Sequence, residues 1–342
     1  MNPPPTQEVR RGSTRLEKAG PRRFRTVTKW LFLGLLLLLA LVLAISLVNH
    51  WIRTPREEAA HPPPGDMVSV NGHRLHVYAE GAGDPTLVFL AGSGTTAPAL
   101  DFRGLYRQLS DDYRTVVVER AGYGWSEDSG GASRDIGTVL QETRTALAEA
   151  GESPPYVLLP HSMSGLEALH WANRHPDEVA AIVGLDPATP AAYERMPPPR
   201  VQMAVATFTA RTGLLRLVPS LCHGSPSVSH LTDEETDAYC SLMYRRSMTA
   251  DVRAEVDVTQ ANARRVADAG VPDVPLLVFI SNGEGLPMDD WGEILSDFTE
   301  AAGGESRRLD VGHFVHSEAP DLVAAETRTF LRELAQDGGA RR

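Results

Sequence analysis

Nineteen consecutive residues without a charge, Trp30 to Val48 (WLFLGLLLLLALVLAISLV), constrain this chain more than any other feature. The run is apolar on every face of a helix, so no single buried stripe hides it in a water-soluble fold. At about 1.5 Å of rise per residue it spans roughly 28 Å, close to the thickness of a bilayer core. A cleaved signal peptide is the rival reading. Its apolar stretch and basic flank are usually shorter, and small residues mark its cleavage site. Leu47-Val48-Asn49-His50 offers no such site, while Ala40 and Ala44 keep the cleaved, secreted alternative open. The expectation is an uncleaved single-pass anchor over residues 30–49, seated in the lipid bilayer of the cell membrane.

Charge orients that anchor. Residues 1–29 carry eight Lys/Arg against two acids, a balance of +6, which leaves −17 on the rest of a chain whose net charge is −11. Only Arg53 and Arg56 follow the span closely. The positive-inside rule therefore puts the tail 1–29 in the cytoplasm and the main body outside. An acidic body of this kind excludes nucleic acid as a partner. The two cysteines, Cys222 and Cys240, then lie where a disulfide is permitted. A bridge across eighteen residues is worth about 3 kcal/mol in the chain-entropy model; two buried free thiols are the alternative.

Residues 1–29, with Pro3-Pro4-Pro5 and no apolar periodicity, read as disordered. Residues 50–66, ending in His61-Pro62-Pro63-Pro64-Gly65, read as an extended Pro-rich linker. The body opens with Asn71-Gly72 between two alternating runs, a hairpin signal. Short, almost wholly apolar runs follow at Thr86–Leu90, Thr115–Val118, Tyr156–Leu159, Val179–Leu185 and Leu276–Ile280. They fit strands buried on both faces of a parallel sheet. Between them lie helical patterns, such as the one capped at Ser133, carrying Ile136, Val139, Leu140, Thr143 and Leu147 on one face and closed by Gly151. Strand and helix alternate, as in an α/β fold. The rhythm breaks over residues 191–270, which hold both cysteines and helix-compatible pieces at 201–217, 232–247 and 250–269. That stretch reads as a helical insertion between a first core segment, 67–190, and a second, 271–336; residues 337–342 form a tail.

The chemistry points to Tyr156-Val157-Leu158-Leu159-Pro160-His161-Ser162-Met163-Ser164-Gly165. A buried strand runs into a serine, and a helix starts directly after it. Such a turn lifts the hydroxyl above the sheet and aims the helix N-terminus at it. Three further segments stand out: Leu87 to Gly94 (LVFLAGSG), Glu119 to Ser126 (ERAGYGWS) and Val311 to Pro320 (VGHFVHSEAP).

Together these segments resemble the α/β-hydrolase family over roughly residues 67–335. Around Ser162 the family's G-x-S-x-G becomes Pro160-His161-Ser162-Met163-Ser164, with Pro160 expected to end the strand. Ala91 stands where the family more often has His, and Glu119 where D-R-x-G-x-G-x-S has Asp. The resemblance implies an α/β-hydrolase fold: a mostly parallel central sheet flanked by helices, with residues 191–270 as a helical cap. It implies Ser162 as nucleophile, His313 as general base, and the backbone N–H groups of Ser93 and Met163 as the oxyanion hole. His316 is the competitor for the base; His161 lies too near the serine in sequence. The acid is expected at Glu284, after the strand that follows the insertion. Asp186 is the alternative, and Asp289 and Asp290 are weaker ones.

The expected activity is cleavage of a carboxylic ester or related acyl bond in a small molecule, through an acyl-enzyme. A peptidase resembling the prolyl aminopeptidases uses the same chemistry and stands as an alternative. So does a protein of another class, a binding or signalling protein that keeps the fold without activity. A serine at the elbow argues against the family's epoxide hydrolases and dehalogenases, whose nucleophile is a carboxylate. Met196, Met203, Phe208, Leu214, Leu215 and Met243 are candidates for an apolar pocket wall. No metal or cofactor is expected, since zinc-type and dinucleotide motifs are missing from the sequence.

Overall fold

The computed structural model describes residues 21–194 and 196–340, so the reading of residues 1–20 and of the last two residues lies outside it. The chain divides between Ser46 and Leu47 into two compact units. Helix α1 (Pro21–Ala60) begins in the first and ends in the second. It is long and apolar enough to cross a membrane.

Two expectations change here. Residues 21–29 are helical rather than disordered, and residues 50–60 continue the helix instead of forming an extended linker. Pro55 removes one helical N–H donor. The helix persists because it is held from outside. Arg216 makes two hydrogen bonds of 2.7 Å to the Glu57 carboxylate, and Arg245 reaches Glu58 at 2.9 Å. Only residues 61–65 lie between the end of the helix and the first strand.

Eight strands form one sheet in the order β1-β2-β4-β3-β5-β6-β7-β8. They are β1 (Asp66–Val70), β2 (His73–Glu80), β3 (Thr86–Leu90), β4 (Thr115–Val118), β5 (Tyr156–Ser162), β6 (Val179–Pro187), β7 (Leu276–Ile280) and β8 (Glu305–Arg308). The hairpin β1–β2 turns at Asn71-Gly72, both with positive φ, as a tight turn of this kind requires. Strands β1, β2 and β4 pair antiparallel, and every pair from β4 to β8 is parallel. The central strands are apolar on both faces because both are covered. Val88, Leu158, Ile182 and Val278 pack on one side against helices α2 (Ile136–Glu149) and α3 (Ser164–Arg174). Leu87, Phe89, Val157, Val183 and Phe279 pack on the other, with Phe102, Leu105 and Phe330. This is the α/β-hydrolase fold. Helix α2 is capped by Asp135, whose carboxylate accepts the Gly137 and Thr138 N–H groups, and not by Ser133. Ser133 instead donates to Asp135 at 2.7 Å.

Between β6 and β7 the described residues contain helices and no strand. The longer ones are α4 (Arg200–Arg211), α5 (Asp233–Arg246) and α6 (Ala250–Ala269). Helix α5 opens with a capping box, Thr232 and Glu235 satisfying each other's backbone N–H groups. Cys222 and Cys240 are joined by a disulfide with Cα atoms 5.5 Å apart.

Candidate active site

The carboxyl ends of β5, β6 and β7 and the loop after β8 converge above the sheet, where ligands of open α/β sheets bind. Ser162 ends β5 with φ of 53°, a strained conformation for a non-glycine residue. Its neighbours leave it little freedom. A Cβ on Gly92 would lie 2.9 Å from Ser162 Cβ and 3.0 Å from His161 Nδ1. Ser164, where the family pattern has glycine, is buried and donates to both Leu90 O (2.6 Å) and His161 O (2.8 Å). It ties the ends of β3 and β5 together, which a glycine cannot do. Pro160 does not end the strand as expected. It lies inside β5, paired with Leu90 of β3. The pairing of β5 with β6 skips Leu159 and Pro160, so the missing N–H falls in a gap of the ladder.

His313 Nδ1–H donates to Asp186 Oδ2 at 2.6 Å, which leaves Nε2 as the ring's acceptor. Asp186 is fully buried and has φ of 51°. Its position follows from a bulge: His161 pairs with Leu185 but Ser162 pairs with Pro187, so Asp186 is the extra residue. Ser281, just after β7, fixes the carboxylate through its N–H to Oδ1 (2.9 Å) and its hydroxyl to Oδ2 (2.7 Å). Glu284, the expected acid, is exposed on the loop beyond β7, where its N–H donates to Asn282 Oδ1 at 2.9 Å. Gly283 and Gly285 flank it with positive φ, and the partner of His313 is Asp186 instead. Asp290 is the N-cap of helix α7 (Trp291–Ala301), with Asp289 beside it.

His316, the competitor for the base, is buried and donates from Nε2 to Asp101 at 3.0 Å, and it does not line the cavity that holds Ser162. His161 lies between His313, His316 and Phe314, with ring centroids 4.7, 4.6 and 5.3 Å away. Its Nε2–H donates to His313 O. Burial, followed by the nearby His316 and His313, holds its pKa well below the ordinary value. It is a neutral prop beneath the His313 backbone.

The loop after β3 carries Ser93. Arg120, itself buried, donates to Ala91 O (2.9 Å) and Gly92 O (3.3 Å) and lies over the Tyr123 ring. Tyr123 accepts from Gly94 N–H at 3.3 Å and donates to Glu255 of α6 at 2.6 Å. Glu119 accepts the Trp125 N–H (2.6 Å), the Ala99 N–H (3.1 Å) and His76 Nδ1–H (3.0 Å). The Glu119-to-Ser126 block therefore supports the loop and touches no reacting position. Among the described residues neither the Ser93 N–H nor the Met163 N–H has a protein acceptor. A cavity of about 260 Å³ opens beside Ser93 and Ser162. Ser93, Ser162, His313 and Phe314 line it from the core, and Tyr239, Met243 and Ser247 from the insertion. No hydrogen bond joins Ser162 Oγ to His313 in this structure; contacts of this type commonly tighten in the complex with substrate. Of the apolar candidates only Met243 lines this cavity. Met203 is buried and Phe208 is exposed. Sequence reasoning missed Ser281, Tyr123 and Ser164 as supports; Ser164 was visible only as a departure from glycine.

The family model described as "Alpha/beta hydrolase family" matches residues 87–326. The uncharacterized protein YbdG of Bacillus subtilis (strain 168) is 36% identical over 322 residues, which cover 90% of this chain and 98% of that protein. Among solved structures, Cfl2 of Burkholderia cenocepacia superposes with a TM-score of 0.62 at 21% identity, over 77% of this chain and 94% of that one. The Bacillus megaterium epoxide hydrolase gives 0.60 at 19% identity, over 78% of this chain and all of that one. Likeness at these identities speaks for the fold alone.

Proposed function

Because this chain belongs to the alpha/beta hydrolase family, we propose that it is a serine hydrolase that cleaves carboxylic esters or related acyl bonds beside a membrane. The observation that carries this reading is His313, which lines one cavity with Ser162 and is held from behind by a hydrogen bond to the buried Asp186. Ser162 Oγ attacks the substrate carbonyl carbon while His313 Nε2 takes its proton. The oxygen becomes negative and is met by the Ser93 and Met163 N–H groups and the N-terminus of α3. His313 returns the proton to the departing alcohol, leaving an acyl-serine. It then takes a proton from water, whose oxygen attacks the acyl carbon; the acid is released and Ser162 regains its hydrogen. Asp186 holds the imidazole in the tautomer this sequence needs and balances its transient charge.

A cavity of about 260 Å³ lined by Tyr239, Met243 and Phe314 suits a modest apolar acyl or alcohol group. The reactions of an epoxide hydrolase do not transfer with the fold, since the residue at the elbow here is a serine. Helix α1 serves as the anchor, with the catalytic unit outside, where the Cys222–Cys240 disulfide persists. Residues 191–270 act as the cap that closes the site. A fluorophosphonate probe tests the chemistry. We expect labelling of the wild type, and its complete loss in Ser162→Ala. A folded wild type that stays unlabelled would favour the inactive binding protein instead.

A further inference from the structure

The surface of the insertion has an uneven distribution of apolar side chains. Beyond α1, eight large hydrophobic residues among those described are exposed, and six of them fall within residues 201–221. They are Val201, Val205, Phe208, Leu217, Val218 and Leu221, each at least 45% exposed. The first three recur at i, i+4 and i+7 along α4, a single outward stripe, while Met203 and Ala210 face inward. Exposed Arg200 and Arg211 stand at the two ends of that stripe. The other three follow directly on Arg216.

Arg216 fixes where this surface lies. Its guanidinium donates to His50 Nδ1 (3.0 Å), Thr54 Oγ1 (3.4 Å) and both Glu57 oxygens (2.7 Å each). Its side chain is 3% exposed, so the contact is a packed joint. His50 is two residues beyond Val48, where the charge-free run ends. Leu47, Val48, Trp51 and Ile52 are also exposed on this part of the helix. Arg216, which Leu217 and Val218 follow directly, is thus clamped to the turn of α1 just past the end of the charge-free run, and α4 leads into it.

We infer that residues 201–221 form a second contact with the lipid bilayer, an interfacial patch seated at headgroup depth beside the anchor. Its composition fits that place: an apolar stripe that displaces interfacial water, flanked by arginines that meet anionic headgroups. A patch of this kind is costly to leave in water, and its continuity with the exit point of the span selects the bilayer over a protein partner. The inference rests on the anchor reading given above.

The test uses the full chain in phosphatidylcholine–phosphatidylglycerol nanodiscs, spin-labelled singly at Phe208→Cys, Leu217→Cys, Leu38→Cys or Leu322→Cys. All four positions are exposed, and native cysteines are tied in the disulfide. The thermal unfolding transition followed by circular dichroism, compared with that of the unlabelled chain, checks that each variant remains folded. For an interfacial patch, the ratio of oxygen to nickel-chelate collisions at Phe208 and Leu217 should lie between the water-like ratio at Leu322 and the mid-bilayer ratio at Leu38. Water-like ratios at Phe208 and Leu217 with Leu38 still in lipid overturn the inference and leave the anchor standing. Shielding from both probes overturns it in favour of a protein cover, such as a second copy. A water-like Leu38 means that the anchor reading has failed, and this inference with it.

Discussion

Both oxygens of Asp186 are engaged, Oδ1 by the Ser281 N–H and Oδ2 by the Ser281 hydroxyl and His313. A carboxylate fixed in this way allows imidazole one orientation and one tautomer. Asp186→Asn keeps the shape but presents an amide that can favour the wrong tautomer. We expect kcat to fall roughly 10³- to 10⁴-fold, by the scale of the same change in serine proteases. Glu284→Gln should stay within about twofold, because exposed loop acids away from the site seldom matter beyond that. Steady-state rates on one ester for the two variants check both statements. The positions of Ser162 and His313 were legible because each follows a strand and precedes a helix. The carboxylate that meets His313 was named only as the alternative to Glu284, because a bulge decides it. Nothing in the apolar run of β6 announces that its register slips between Leu185 and Pro187.

At the scale of elements, the strands were easiest to read. β3, β4 and β7 match the apolar runs residue for residue, since burial on both faces leaves a continuous signal. The end of α1 was hidden because its stabilising partners lie about 160 residues away in sequence. The Glu57–Arg216 pair is nearly enclosed, whereas Arg53 makes only a solvent-facing contact with Glu57 at 3.4 Å. Glu57→Ala leaves a buried guanidinium with much of its charge unanswered and should destabilise the fold by about 3 kcal/mol. Arg53→Ala should cost less than about 0.5 kcal/mol. Chemical denaturation of the detergent-solubilised chain, monitored for both variants, distinguishes the two cases.

Over the whole molecule the burial of the central strands on both faces follows from their composition, and the resemblance of four short motifs was enough to name the fold; the strand order appears only in the structure. What sequence could not supply is how helices from the insertion reach the site, as Glu255 does through Tyr123. The acid side of the stability profile is likewise a property of the assembled core. Burial, then the neighbouring His316 and His313, depress the pKa of His161 below the ordinary 6.5. The folded state thus binds its proton less readily than the unfolded chain. The stabilisation is complete above about pH 6.5 and is lost as the pH falls through that value toward the folded pKa. The melting temperature should therefore drop between pH 7.5 and 5, and His161→Gln should show a shallower drop over the same interval.

The clamp between α1 and the insertion has a practical consequence for proteolysis. Cutting at Ala60, the natural place to release a soluble enzyme if residues 50–66 were a slack tether, would remove His50, Thr54, Glu57 and Glu58 together. Arg216 and Arg245 would lose their counter-charges, and the insertion would lose the strut that holds one of its sides. A shed form that keeps its substrate-facing helices in register must begin near Leu47, carrying with it the last turns of the helix that had anchored it.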